Sequence, residues 1–170
     1  MSDSPKIDDS YQGAMARSEP EPDIDGVVIQ PVSHHVDDRQ DLLVYLKESD
    51  PFFGGFAQSY IAVTDRGVVK AWHYHLAQTD IWFVPHGKIK VGLFDARADS
   101  KTCGVVKTVV MSETQPATLV IPPGVYHGYM TLSVHSILIN TTNQPYDPGD
   151  EYRLSWDDAR IDFDWGVKNR

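Results

Sequence analysis

The chain has 170 residues, 41% of them hydrophobic and 23% charged, with a formal net charge of −9. That length suits one core, the mixture is that of a globular protein and excludes a disordered class, and the negative balance leaves no basic footprint for nucleic acid. The longest apolar runs, such as Ala117 to Ile121, fall far short of the roughly 20 residues a bilayer span needs, so no membrane partner is expected.

Met1 to about Asp25 is rich in Ser, Pro, Asp and Glu and reads as a flexible tail ahead of one domain covering 26–170. It carries no basic stretch followed by an apolar one, so it does not resemble a secretory signal. A single cysteine, Cys103, forms no intramolecular disulfide and suits a reducing compartment, so the expected location is the cytoplasm.

From Gly26 onward, short β-branched and aromatic runs alternate with Gly, Pro, Asp and Asn. This predicts strands at Val27–Gln30, Phe56–Val63, Val68–His75, Ile81–Val84, Lys88–Phe94, Val105–Met111, Thr118–Ile121, Val125–Leu132 and Ser136–Thr142. Pro85-His86-Gly87 reads as the turn of an antiparallel hairpin between its flanking runs. An all-β chain of this size protects its edges by closing a barrel, and a jelly roll with ligand space inside is the expected form. The last stretch, EYRLSWDDARIDFDW, carries aromatic anchors among acids and reads as an irregular segment packing back on the barrel.

Within the strand before Leu76, His73 and His75 are two residues apart and share a face, while Trp72 and Tyr74 share the other. His34, His35, His86 and His135 read as ordinary polar residues. The run Gly67-VVKAW-His73-Tyr-His75-LAQT-Asp80-IWFVPH-Gly87 resembles the first cupin motif, with Asp80 in place of its Glu. Pro122-Pro-Gly124-Val-Tyr-His127 resembles the second, with Thr131 where that motif has Asn. The resemblance implies a cupin jelly-roll barrel in which His73, His75, Asp80 and His127 converge. Three nitrogens and a carboxylate suit one divalent ion, Fe, Mn, Ni or Zn; no organic cofactor is expected.

A second resemblance covers Gly26 to Trp165. Its marks are Asp38-Arg39, Phe56-Ala-Gln58, the hairpin PHGKIKVGLFDAR, IPPGVYHGYMTLS, TTNQPYDPGDE and SWDDARIDFDW. These resemble the dTDP-4-dehydrorhamnose 3,5-epimerase family, a branch of the cupins that acts on nucleotide-linked 4-keto-6-deoxyhexoses. The resemblance implies that His73 removes the proton beside the ketone, that Asp158 orients it, that His127 lies near the carbonyl, and that Tyr146 lines the site. It also places Arg39, Gln58 and Lys70 at substrate-binding positions and implies a homodimer, paired through the early strands.

Three positions depart from that family: Lys70 stands for its Arg, Asp80 for a lysine that holds the enolate, and Ile139 for its proton-donating tyrosine. His75 replaces a glutamine, so the changes at 75 and 80 complete a metal-type cupin quartet. The function expected is therefore a keto-sugar isomerase of the epimerase type, possessing or lacking a metal, in deoxysugar or polysaccharide synthesis. The alternatives are a metal-dependent cupin oxygenase or lyase on a small polar substrate, and a non-catalytic sugar- or metal-binding cupin.

Overall fold

The computed structural model describes residues 23–167. Its strands are β1 (Val28–Pro31), β2 (Ser33–Val36), β3 (Asp41–Val44), β4 (Gln58–Asp65), β5 (Val69–Tyr74), β6 (Asp80–His86), β7 (Lys88–Asp95), β8 (Val106–Ser112), β9 (Ala117–Ile121), β10 (Val125–Thr131), β11 (His135–Thr142) and β12 (Tyr152–Arg153). No helix among the described residues is long and apolar enough to cross a membrane. One five-stranded sheet runs β1-β9-β6-β11-β4, the other β12-β5-β10-β7-β8, and β2-β3 forms a separate pair. The two large sheets make the expected jelly roll.

The core lies between them. Trp82 and Val84 of β6, Leu119 of β9 and Leu138 of β11 meet Val91 and Leu93 of β7 and Met111 of β8. Burying each such side chain stabilises the fold by about 1.5–3 kcal/mol. Ile24, placed in the tail by the sequence reading, is 2% exposed and belongs to this core, so the packed region starts ahead of Gly26. The remainder of the expected tail, residues 1–22, lies outside the described residues.

The turn at Pro85-His86-Gly87 does not close a hairpin. Strand β6 pairs with β9 and β11, whereas β7 pairs with β8 and β10, so the turn carries the chain from one sheet to the other. Gly87 makes the corner at φ 81°, where a Cβ would stand 2.5 Å from the carbonyl oxygen of His135. No other residue fits there without strain.

Strand β5 is short of regular pairing in a way that matters for the site. Its register against β10 runs His127 to His73 but Tyr129 to Lys70, an extra residue on β5 and thus a β-bulge. Gly128 permits it: a Cβ there would lie 2.3 Å from that of Ala71. The bulge resets the alternation of side chains, so Lys70 and His73, three apart, both reach the interior.

On the outer face of β5, Trp72 is fully buried beneath the C-terminal segment. Phe163 meets its ring edge-on at 5.4 Å and Trp165 lies at 5.1 Å, an arrangement worth about 0.5–1.5 kcal/mol per pair beyond burial. The segment packs back as the sequence implies, anchored by Ile161, Phe163 and Trp165. At the end of β7, fully buried Asp95 ties its loop: it accepts from Arg97 Nε at 2.8 Å, Ser100 Oγ at 2.6 Å and Thr102 Oγ1 at 2.6 Å.

Candidate active site

A cavity of about 190 Å³ opens between the sheets. Strand β5 sends in Lys70 and His73, with His75 one residue beyond its end; β10 sends in His127, directly opposite His73; β6 sends in Asp80. From β4 come Gln58 and Tyr60, and the segment after β11 brings Tyr146 and Glu151 over the mouth.

His73 Nδ1 lies 3.1 Å from Glu151 Oε1. The same carboxylate oxygen accepts from Arg153 Nη2 at 2.7 Å, and its other oxygen lies 3.4 Å from the Tyr146 hydroxyl. Arg153 pairs with His73 in the β12–β5 ladder, which fixes Glu151 beside the imidazole. Burial holds His73 below its ordinary value, though Glu151 pulls upward, so the ring is neutral at pH 7. For Glu151, burial works upward, but the bonds from Arg153 and His73 outweigh it and keep the carboxyl low. With Nδ1–H donated to a carboxylate, the Nε2 lone pair of His73 is left for a substrate proton.

The other two imidazoles are held by backbone. His75 Nδ1 donates to the Asp150 carbonyl at 2.8 Å and His127 Nδ1 to the Val125 carbonyl at 3.0 Å. The Asp150 side chain in turn accepts from the amides of Leu76, Ala77 and Gln78, at 2.7 to 3.2 Å, pinning the two segments together. Burial lowers His127 strongly, against the pull of Asp80. Asp80 is 1% exposed. Its Oδ1 accepts from Asn140 Nδ2 and from Gln78 Nε2, while Oδ2 has no hydrogen-bond partner and lies 3.8 Å from His75 Nε2 and 3.7 Å from His127 Nε2.

Ligand atoms of His75, Asp80 and His127 thus lie within 4.8 Å of one another. The quartet expected from sequence is a trio, because Glu151 draws His73 aside. Two further expectations change. Asp158 does not line the cavity; Arg160, two residues on, binds its carboxylate at 2.7 and 2.8 Å, a local pairing that keeps it in the C-terminal segment. Arg39 sits at the β2–β3 turn, 78% exposed and bonded to Asp37, also away from the cavity. Gln58 and Tyr146 are joined at the mouth, where Tyr146 N donates to Gln58 Oε1 at 3.0 Å.

Ile139 proves to be on the outer face of its sheet, paired with exposed Ile61; Leu138 and Asn140 are its inward neighbours. Sequence reasoning missed Glu151, Arg153, Gln78, Asn140 and Tyr60. Glu151 stood within the quoted TTNQPYDPGDE stretch, but nothing in the spacing set it apart from Asp147, Asp150, Asp157 or Asp158.

A two-sheet jelly roll whose interior gathers three histidines and two carboxylates is a cupin of the enzymatic kind. The sequence model of the dTDP-4-dehydrorhamnose 3,5-epimerase family matches residues 21–170, and the chain belongs to that family; it is an isomerase of the epimerase type. The spore coat polysaccharide biosynthesis protein SpsL of Bacillus subtilis is 39% identical over 150 residues, covering 86% of this chain and 99% of that one. The probable low-salt glycan biosynthesis epimerase Agl13 of Haloferax volcanii is 36% identical over 86% of this chain and 97% of its own. Among solved structures, the dTDP sugar isomerase of Desulfovibrio desulfuricans superposes with a TM-score of 0.81 at 28% identity, over 85% of this chain and 94% of that one.

Proposed function

We propose that this protein epimerises a nucleotide-linked 4-keto-6-deoxyhexose for deoxysugar or polysaccharide synthesis, with His73 as base. The observation that carries the reading is the His73–Glu151 pair, 3.1 Å apart on the wall of the cavity. A hydrogen on carbon beside a ketone is weakly acidic, so its removal needs a positioned neutral base. Nε2 of His73 takes that proton, and Glu151 stabilises the imidazolium that results. The cavity accommodates the sugar ring and leaves the nucleotide at the mouth, where Lys70 and Arg153 supply positive charge and Gln58 and Tyr146 supply polar contacts. Proton transfer alone is redox-neutral and calls for no organic cofactor. Arg39 keeps a nucleotide contact only in an assembly where a second copy presents its cavity to this hairpin, and the form we propose is a homodimer. The lone cysteine, exposed and unpaired, accords with a cytoplasmic location.

The trio of His75, Asp80 and His127 fits one divalent ion of the Fe, Mn, Ni or Zn kind. Both imidazoles spend their protons on backbone carbonyls, so each offers a lone pair inward, and Asp80 Oδ2 is a buried carboxylate oxygen with no donor. Three acceptors facing one another are complementary to a cation; the Gln78 amide, 3.3 Å from His75 Nε2, is the nearest substitute. Such an ion, when bound, supplies Lewis-acid polarisation of the substrate carbonyl oxygen, the role left by the absent lysine. Protein purified without chelators should hold or take up about one equivalent, and His75→Ala should abolish uptake while His73→Ala preserves it. Failure to take up any of Fe, Mn, Ni, Co or Zn makes the trio an acid–base cluster.

Two histidines and a carboxylate are also the set of non-haem iron oxygenases, which is the second reading. Incubating dTDP-, UDP- and GDP-linked 4-keto-6-deoxyhexoses with the protein in deuterated water, without oxygen, separates the two. Deuterium at C3 or C5 by NMR, lost in His73→Ala, supports the epimerase; no label with any of them overturns it.

A further inference from the structure

Inverting a carbon requires a proton to leave one face of the sugar ring and another to arrive on the opposite face. The base, His73, belongs to the sheet β12-β5-β10-β7-β8. So do His127 and Lys70, while Tyr146, whose backbone is joined to Gln58 of β4, turns its hydroxyl to Glu151 Oε2 at 3.4 Å, beside His73, and has an acceptor for its proton there. The acid that completes the inversion must come from the facing sheet, β1-β9-β6-β11-β4.

That wall offers few proton-bearing groups. The Asp80 carboxylate accepts two amide hydrogens and acts as an acceptor. Thr142 gives its hydroxyl proton to the Gln144 carbonyl at 2.6 Å, and Thr64 of β4 exchanges its bond with the buried Tyr129 of the other sheet at 2.8 Å. Tyr60 is different. Strand β4 alternates so that Gln58, Tyr60 and Ala62 line the cavity, and the Tyr60 oxygen accepts from Asn140 Nδ2 at 2.9 Å. The same nitrogen donates to Asp80, which fixes the amide's orientation. Tyr60 therefore receives a hydrogen bond, and no acceptor among the described residues takes its own.

We infer that Tyr60 is the proton donor of this epimerase, delivering its phenolic hydrogen to the carbon that His73 deprotonates, from the opposite face. The inference rests on the epimerase reading above. In the first half, the C–H electron pair moves into the carbonyl to give an enolate and the proton goes to His73 Nε2. In the second, the enolate pair forms a new C–H bond with the Tyr60 hydrogen, leaving a phenolate that Asn140 stabilises. The imidazolium and phenolate then return to their starting forms by exchange of one proton through solvent. Burial, outweighing Asn140, raises the phenol above its ordinary value, so Tyr60 rests in the protonated state a donor needs.

The test is Tyr60→Phe, which keeps the ring and removes only the hydroxyl, assayed with dTDP-4-keto-6-deoxyglucose in deuterated water. Loss of a general acid is expected to slow formation of the epimer by roughly 100-fold or more, with KM near that of the unaltered enzyme. Deuterium should still enter, appearing in recovered substrate of unchanged configuration, because His73 can withdraw the proton and return a deuteron on its own face. His73→Ala should lose both. Epimer formation by Tyr60→Phe near the unaltered rate overturns the assignment and leaves the epimerase reading standing. So does equal loss of exchange and epimerisation in a variant that melts normally, since Tyr60 then acts in binding. An unaltered enzyme that neither exchanges nor epimerises overturns both.

Discussion

A carboxylate bonded to Nδ1 of an imidazole fixes both the tautomer and the direction in which Nε2 points, and His73 draws that service from Glu151. Glu151→Gln keeps the shape and removes the charge that steadies the imidazolium. We expect kcat to fall by roughly 10–100-fold with little change in KM, while Asp158→Asn stays within about twofold; steady-state kinetics on the same keto-sugar nucleotide reads both, and the reverse ranking would return the role to Asp158. His73, His75, Asp80 and His127 were legible because strand alternation and fixed spacing bring them to one interior. Glu151 was not, since it reaches His73 from 78 residues away through a two-residue strand, and the choice among neighbouring acids is made by tertiary contacts. Asp158 loses that competition to a local partner, Arg160.

At the scale of elements, nine of the strands could be read from β-branched runs, yet two features defeat that reading. Strands β2 and β3 carry His34, His35 and Asp41 and are exposed through most of their length, so no alternation of apolar and polar residues marks them. The turn after β6 looked like a hairpin, but Asp80 to Val84 is buried at every position. Continuous burial means that both faces are covered, which signals a central strand with partners elsewhere. Loop chemistry is equally decisive after β7. Burial acts to raise Asp95, but bonds from Arg97, Ser100 and Thr102 outweigh it and hold the carboxyl far below its ordinary value. A depressed carboxyl contributes stability above its unfolded value, about 3.9, and loses it as pH falls through the folded one. Asp95→Asn should therefore cost about 2–4 kcal/mol at pH 7 and flatten the fall in stability below pH 4. Urea melts at pH 7 and pH 3 compare the two proteins; an unchanged slope would deny Asp95 this part.

For the molecule as a whole, strand content followed from the sequence but sheet order did not, because every pairing except the β2–β3 and β7–β8 neighbours joins strands distant in the chain. Strand β4 ends its sheet with an edge that no other strand among the described residues pairs, and it turns Ile61 and Val63 outward, 66% and 67% exposed. Apolar side chains on an open edge invite a second copy, and with the exposed β2–β3 pair they mark the face for the proposed two-fold dimer. Light scattering should give twice the monomer mass, reduced to the monomer by Ile61→Glu with Val63→Glu; a monomeric unaltered protein would remove the dimer and Arg39's part in binding. The C-terminal segment has a different sort of consequence. Glu151, Arg153, Phe163 and Trp165 are made late, yet they supply the partner of His73 and the cover of Trp72. As the polypeptide emerges from the ribosome N-terminus first, the strand bearing the proposed base is left bare on its outer face and without its carboxylate until residues 151–165 have followed it. Competence, on the proposed reading, thus waits for this segment, and a chain that stops short of Glu151 holds the imidazole without the carboxylate that would orient it.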